Sequence, residues 1–109
     1  MKIDYLTITL KPGTTGWNKD DCIHRLQEVL MIDEWQPFFH YLRSDRYYEE
    51  VYEYSNCYLK VPSDDKLLKQ GVCIEMTGQG VDYYQAFLCT VKNSDLRTAL
   101  NCFRGACRM

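Results

Sequence analysis

From Ile3 to Leu10 apolar and polar residues alternate, with Leu6, Ile8 and Leu10 on one face, the period-two pattern of a strand with one side against a core. Pro12-Gly13, followed by Gly16, ends it in a loop. The period then lengthens. Cys22, Ile23, Leu26, Val29 and Leu30 recur at helical spacing behind Asn18, a good N-cap, while Asp20 and Asp21 sit near the positive end of the dipole. A helix is therefore expected from 19 to about Ile32. Trp35, Phe38, Phe39, Tyr41 and Leu42 crowd around Pro37, and because proline suits a first helical turn, a short second helix is expected to begin there.

Period two returns in two runs, Arg46 to Tyr54 and Cys57 to Val61, on either side of Ser55-Asn56, which has the composition of a hairpin turn. A loop at 62–65 leads into a turn of helix through Lys66 to Lys69. Val72, Ile74 and Met76 then alternate with Cys73, Glu75 and Thr77, and Gly78-Gln79-Gly80 reads as a tight strand-to-helix turn whose glycines permit positive φ or a close backbone approach. The clearest helical period is the last, from about Ser94 to Arg108, with Leu96, Leu100, Phe103 and Cys107 as its apolar face. These elements predict one α+β domain over residues 1–109, with a small, mostly antiparallel sheet of about four strands covered by two amphipathic helices at 19–32 and 94–108.

With 46% apolar and 14% aromatic residues, the 109-residue chain can bury a modest core. Its longest aliphatic run, Val29 to Ile32, is far short of a membrane span, and the start does not read as a signal peptide, so a cytoplasmic protein without membrane contact is expected. Six cysteines are then expected to be reduced thiols. Zinc spacing is absent. Cys22 and His24 stand about 200° apart on one helix and Cys102 and Cys107 about 140° apart on another, so neither pair chelates one ion.

Candidate nucleic-acid chemistry lies in two places. Arg97, Asn101, Arg104 and Arg108 form a stripe one residue round from the last helix's apolar face, readable as a solvated surface or as a contact for DNA phosphates. Tyr48, Tyr52 and Tyr54 share a strand with Glu49, Glu50 and Glu53, which oppose a phosphate backbone, so cross-strand packing is preferred to base stacking. Charge limits both readings. Residues 1 to 54 hold six Lys/Arg against ten Asp/Glu, and residues 55 to 109 hold seven against five, so DNA contact should be weak, salt-sensitive and confined to the C-terminal half. Catalysis has less support: His24 and His40 lack a neighbouring nucleophile, Asp20-Asp21 and Asp64-Asp65 read as a helix cap and a loop, and Tyr83 and Tyr84 read as anchors for the helix after the glycines.

The string Gly71-Val-Cys-Ile-Glu-Met-Thr-Gly-Gln-Gly80, following the opening Ile3-Asp4-Tyr5-Leu6-Thr7-Ile8-Thr9, resembles the N-terminal part of the replication initiation factors of rolling-circle plasmids and phages, with related relaxases in integrative elements. Glu75, Gly78, Gln79 and Gly80 carry the motif; where the family commonly continues with Cys-Arg, this chain has Val81-Asp82, an anion in place of a cation. The resemblance implies a parent enzyme that nicks origin DNA through a tyrosyl–phosphate bond with a divalent metal. Its metal-binding strand and nucleophilic tyrosine are expected beyond the region represented here. The chain is accordingly expected to need no cofactor of its own, to have no cleavage activity, and to position hairpin or single-stranded origin DNA or support a downstream catalytic domain. The alternative is a protein-interaction or dimerisation module, or a stand-alone regulator, using the aromatics at 35–42 and the Leu96–Phe103 face.

Overall fold

The computed structural model describes residues 5–14 and 16–99. Five strands, β1 (Tyr5–Leu10), β2 (His40–Arg43), β3 (Glu50–Tyr54), β4 (Cys57–Val61) and β5 (Val72–Thr77), form one wholly antiparallel sheet in the order β1-β5-β4-β3-β2. The helices α1 (Lys19–Val29), α2 (Leu67–Gln70) and α3 (Gly78–Thr90) make the fold α+β, and α1 and α3 pack on its central and β1-side strands. The register places Ile8 opposite Ile74 and Ile74 opposite Leu59, so Leu6, Ile8, Leu10, Val72, Ile74, Met76, Cys57, Leu59 and Val61 share the helix-covered face.

Local chemistry explains most of the boundaries. The Asn18 side chain accepts from the Asp21 amide at 2.9 Å while the Asp21 carboxylate accepts from the Asn18 amide at 3.1 Å, a reciprocal cap that starts α1. Cys22, Leu26 and Val29 are buried as expected, but α1 stops at Val29 rather than Ile32 because Met31 turns to φ 61°. Ser55 and Asn56, at φ 50° and 65°, make the two left-handed positions that match a hairpin's twist, which joins β3 to β4 as predicted. Gly71, at φ 71°, ends α2, and a Cβ there would come within 2.6 Å of the Leu10 carbonyl oxygen.

Three expectations need correction. Among the described residues the sheet has five strands where about four were expected, because 40–43 is an edge strand. No helix begins at Pro37: a 3-10 helix runs from Asp33 to Phe38, and the extended Phe39 then feeds β2. The second covering helix is α3, whose first turn is Gly78-Gln79-Gly80 itself, so the motif is helix rather than a turn before one. Of the expected 94–108 helix, residues 96–99 are helical, with the Asp95 carboxylate capping the Thr98 amide at 2.8 Å; Asn101, Arg104 and Arg108 lie outside the described residues.

Candidate nucleic-acid interface

The family-like motif sits where β5 passes into α3, and the β3–β4 hairpin turn is pressed against it. The Asn56 carbonyl accepts from the Thr77 amide at 3.3 Å, and the Asn56 side chain donates to Gln79 Oε1 at 3.2 Å. A Cβ on Gly80 would lie 2.4 Å from the Asn56 carbonyl oxygen and 2.9 Å from its carbon. The glycine is therefore required by close approach, not by positive φ. Val81 continues into the core, fully buried, while Asp82 faces solvent.

Glu75, the charged residue of the motif, points to the opposite side of the sheet. It accepts from Lys60 Nζ at 2.8 Å, with both side chains mostly buried at 23% and 15% exposure. Burial alone would raise the Glu75 carboxyl, but the hydrogen bonds from Lys60 and Tyr5 and the charges of Lys60 and Arg43 outweigh it and hold the group below its ordinary value. Burial likewise opposes the charged form of Lys60, and Glu75 outweighs it, so the ammonium is raised. The two shifts agree in direction. Glu75 thus adds stability that is complete above the ordinary carboxylate range and lost as pH falls through its depressed value, while the Lys60 contribution is lost as pH rises through its raised one. Across neutral pH the pair is intact. Lys60→Ala is expected to cost about 1–2 kcal/mol at pH 7 and to move the Glu75 titration upward, which carboxyl NMR reads directly; the cost should shrink once acid has protonated Glu75.

Around this pair, the side of the sheet that carries no helix among the described residues holds Tyr5 and Thr7 from β1, Thr77 from β5, Tyr58 from β4 and Arg43 from β2. Arg43, Tyr58, Lys60, Glu75 and Thr77 line a shallow depression of about 250 Å³. His40 meets Glu53 at 3.0 Å beside it, and Tyr48 reaches back from the 44–49 loop with Lys60 Nζ 5.7 Å from its ring centre. Sequence reasoning missed Arg43, Tyr58 and Lys60 as site residues. Strand parity held the signal, since Lys60 on β4 and Glu75 on β5 alternate with buried neighbours and so share a face.

Of the remaining tyrosines Tyr47 is exposed, and the others make ring or hydroxyl contacts. Tyr54 lies in an aromatic cluster with Trp35, Phe38, Phe39 and Tyr83, and Tyr52 meets Tyr41 edge-on at 5.9 Å. Tyr84 is fully buried and donates to the Leu30 carbonyl at 2.8 Å, tying α3 to the end of α1. Tyr83 shares a 2.8 Å hydrogen bond with the Tyr54 hydroxyl, anchoring α3 to the sheet. Burial raises the Tyr84 hydroxyl strongly, and the Tyr54 hydrogen bond followed by desolvation raises that of Tyr83, the reverse of what an activated phenolate nucleophile needs. Among the described residues, no group of three His, Cys, Asp or Glu side chains is placed to hold a metal.

The four described cysteines are unbridged. Desolvation pushes the buried Cys57 thiol up to about 12 and raises Cys22 and Cys73 as well. Maleimide should therefore label the exposed Cys89 in the native protein and spare Cys22, Cys57 and Cys73 until unfolding, an order that peptide mass mapping checks.

Arg97 is exposed, but it does not join Glu75 or Gln79. It borders a depression with Gln85, Cys89 and Asp95. Cys89 lies eleven residues along α3 from Gly78, about 16 Å by helical rise. No helix among the described residues is long and apolar enough to cross a membrane.

The family model for the rolling circle replication initiation protein N-terminal domain matches residues 1–100. No curated protein and no solved structure matches the chain. With nearly its whole length matched, the chain belongs to the family of rolling circle replication initiation protein N-terminal domains, and its role lies in replication initiation.

Proposed function

We propose that this domain positions origin DNA on the helix-free face of its sheet for the rest of the initiator and does not itself cleave the strand. The observation that carries the reading is the depression formed by Arg43, Tyr58, Lys60, Glu75 and Thr77, with Tyr5 and Thr7 alongside. Tyrosine rings beside cations suit unpaired bases and their phosphates, with stacking worth about 1–3 kcal/mol per base. The Lys60 ammonium of this face is already engaged with Glu75, whereas Arg43 has no ion pair among the described residues. Few phosphates are therefore neutralised, and log affinity should fall with log salt at a slope of only about −1 to −2. The absence of cleavage by this domain is supported by Tyr84, fully buried with its hydroxyl donating to the Leu30 carbonyl, and by Tyr83, whose hydroxyl is tied to that of Tyr54.

Fluorescence anisotropy with labelled hairpin and single-stranded DNA at low and moderate salt tests this. Binding at low salt should weaken about threefold to tenfold in Arg43→Ala. No binding at low salt would sink the reading; loss in Arg97→Ala with Arg43→Ala unaffected would move the contact to the arginine stripe.

A second reading, an interaction or dimerisation module, is favoured by β2. All four of its residues are exposed, it forms one edge of the sheet, and Phe38, Tyr41 and Leu42 present apolar surface beside it. Concentration-dependent sedimentation without DNA affinity would favour that reading.

A further inference from the structure

We propose that the 44–49 loop is an autoinhibitory strap on the DNA face: latched by Gln70, it sets an anion, Asp45, against the cations of that face and lays Tyr48 over one end of it, and single-stranded DNA binds more tightly once the strap is released. The inference rests on the DNA reading of the face and adds its regulation.

Burial is the first observation. Val51 stands opposite Lys60 and Lys60 opposite Cys73, so Val51 and Cys73 point to the same side of the sheet as Lys60 and Glu75. Both are nevertheless buried, at 0% and 3% exposure, and both stand outside the helix-side core. Tyr48 is what covers them. Its ring centre lies 5.7 Å from Lys60 Nζ, and its hydroxyl meets the side chains of Gln70 and Cys73. The end of the face left open is the depression of Arg43, Tyr58, Lys60, Glu75 and Thr77.

The loop is also built to move as a unit. The Asp45 carboxylate accepts from the Tyr47 and Tyr48 amides at 2.9 and 2.7 Å, and the Asp45 amide donates to the Tyr48 carbonyl at 2.9 Å, so residues 45–48 form a closed turn that can swing without losing its internal bonds. Gln70, the last residue of α2, donates from Nε2 to the Tyr47 carbonyl at 2.8 Å and latches the turn in place. Charge then makes the closed strap inhibitory. Burial alone would raise the Asp45 carboxyl, but the two loop amides, then the charges of Lys60 and Arg43, outweigh it and hold the group below its ordinary value. Asp45 is therefore an anion at neutral pH and competes with a DNA phosphate for those two cations. Glu49, on the same loop, is engaged by Lys19 of α1 at 3.7 Å instead.

Fluorescence anisotropy of the full chain with labelled single-stranded DNA at low salt, joined to maleimide mapping of the same proteins without DNA, tests the strap. Gln70→Ala removes the latch. Asp45→Asn removes the charge but keeps an oxygen to accept from both amides, and Glu49→Gln removes an equal charge from the same loop. Gln70→Ala and Asp45→Asn should each bind about threefold to tenfold more tightly than the parent, with Glu49→Gln unchanged. Cys73 should label in native Gln70→Ala while Cys22 and Cys57 stay spared, which separates release of the strap from unfolding. Parent binding with no gain in either variant, an equal gain in Glu49→Gln, or a Cys73 still spared in Gln70→Ala would overturn the strap and leave the DNA face standing; no binding by the parent or any variant would overturn both.

Discussion

Gly80→Ala is expected to destabilise the domain by about 2–4 kcal/mol, lowering its melting temperature by roughly 10–20 °C. The added methyl has no space: it would fall 2.4 Å from the Asn56 carbonyl oxygen, an atom held by the hairpin and already accepting from the Thr77 amide. Alanine's better helix propensity, worth about 1 kcal/mol, acts in the other direction and does not offset a clash with backbone. Asn56 and Gln79 would have to separate, loosening the junction of β5, α3 and the hairpin. Calorimetry of the variant checks this; a melting temperature equal to that of the parent would show that the Gly-Gln-Gly segment is retained for something other than this contact.

Trp35→Ala should be worse, at about 3–5 kcal/mol. Trp35 is 2% exposed and lies 5.1–6.5 Å, centre to centre, from Phe39, Tyr54, Tyr83, Tyr84 and Phe87, joining the 3-10 helix to β3 and α3. Removing the indole leaves a void bordered by rings from three elements that cannot all close on it. Denaturant unfolding should show the loss, and the near-ultraviolet dichroism of the surrounding tyrosines should weaken with it. Tyr84→Phe offers a milder comparison of about 1–2 kcal/mol, because it preserves volume and leaves only the Leu30 carbonyl without its donor.

These residues show what was legible in the chain. Alternation at Leu6, Ile8 and Leu10 and at Val72, Ile74 and Met76 marked two strands that lie side by side, and Asn18 with Asp21 marked the start of α1, because such patterns are written in neighbouring residues. β2 was hidden for the opposite reason: His40, Tyr41, Leu42 and Arg43 are all exposed, so an edge strand of four residues has no buried face to leave a period. α3 carried a helical spacing at Val81, Tyr84 and Leu88, all fully buried, but two glycines at its start have the composition of a turn. Nothing local announces that Asn56 occupies the space beside Gly80, since that contact joins residues far apart in the chain.

The candidate site divides similarly. Glu75, Gly78, Gln79 and Gly80 stood out as a string, and the structure separates their roles: Gly80 and Gln79 dock α3 on the hairpin, while Glu75 faces the other side with Lys60. Arg43 was invisible because it reaches the same depression from a strand that the sequence did not reveal.

The most direct measurement is an amide chemical-shift map of the domain titrated with hairpin and single-stranded DNA at low salt. Positioning of DNA by the open sheet face predicts perturbations at Thr7, Arg43, Tyr58, Lys60 and Thr77, with Ile23 and Gln27 on the helix side unmoved. Shifts confined to Arg97 and its neighbours, or none at all, would contradict it.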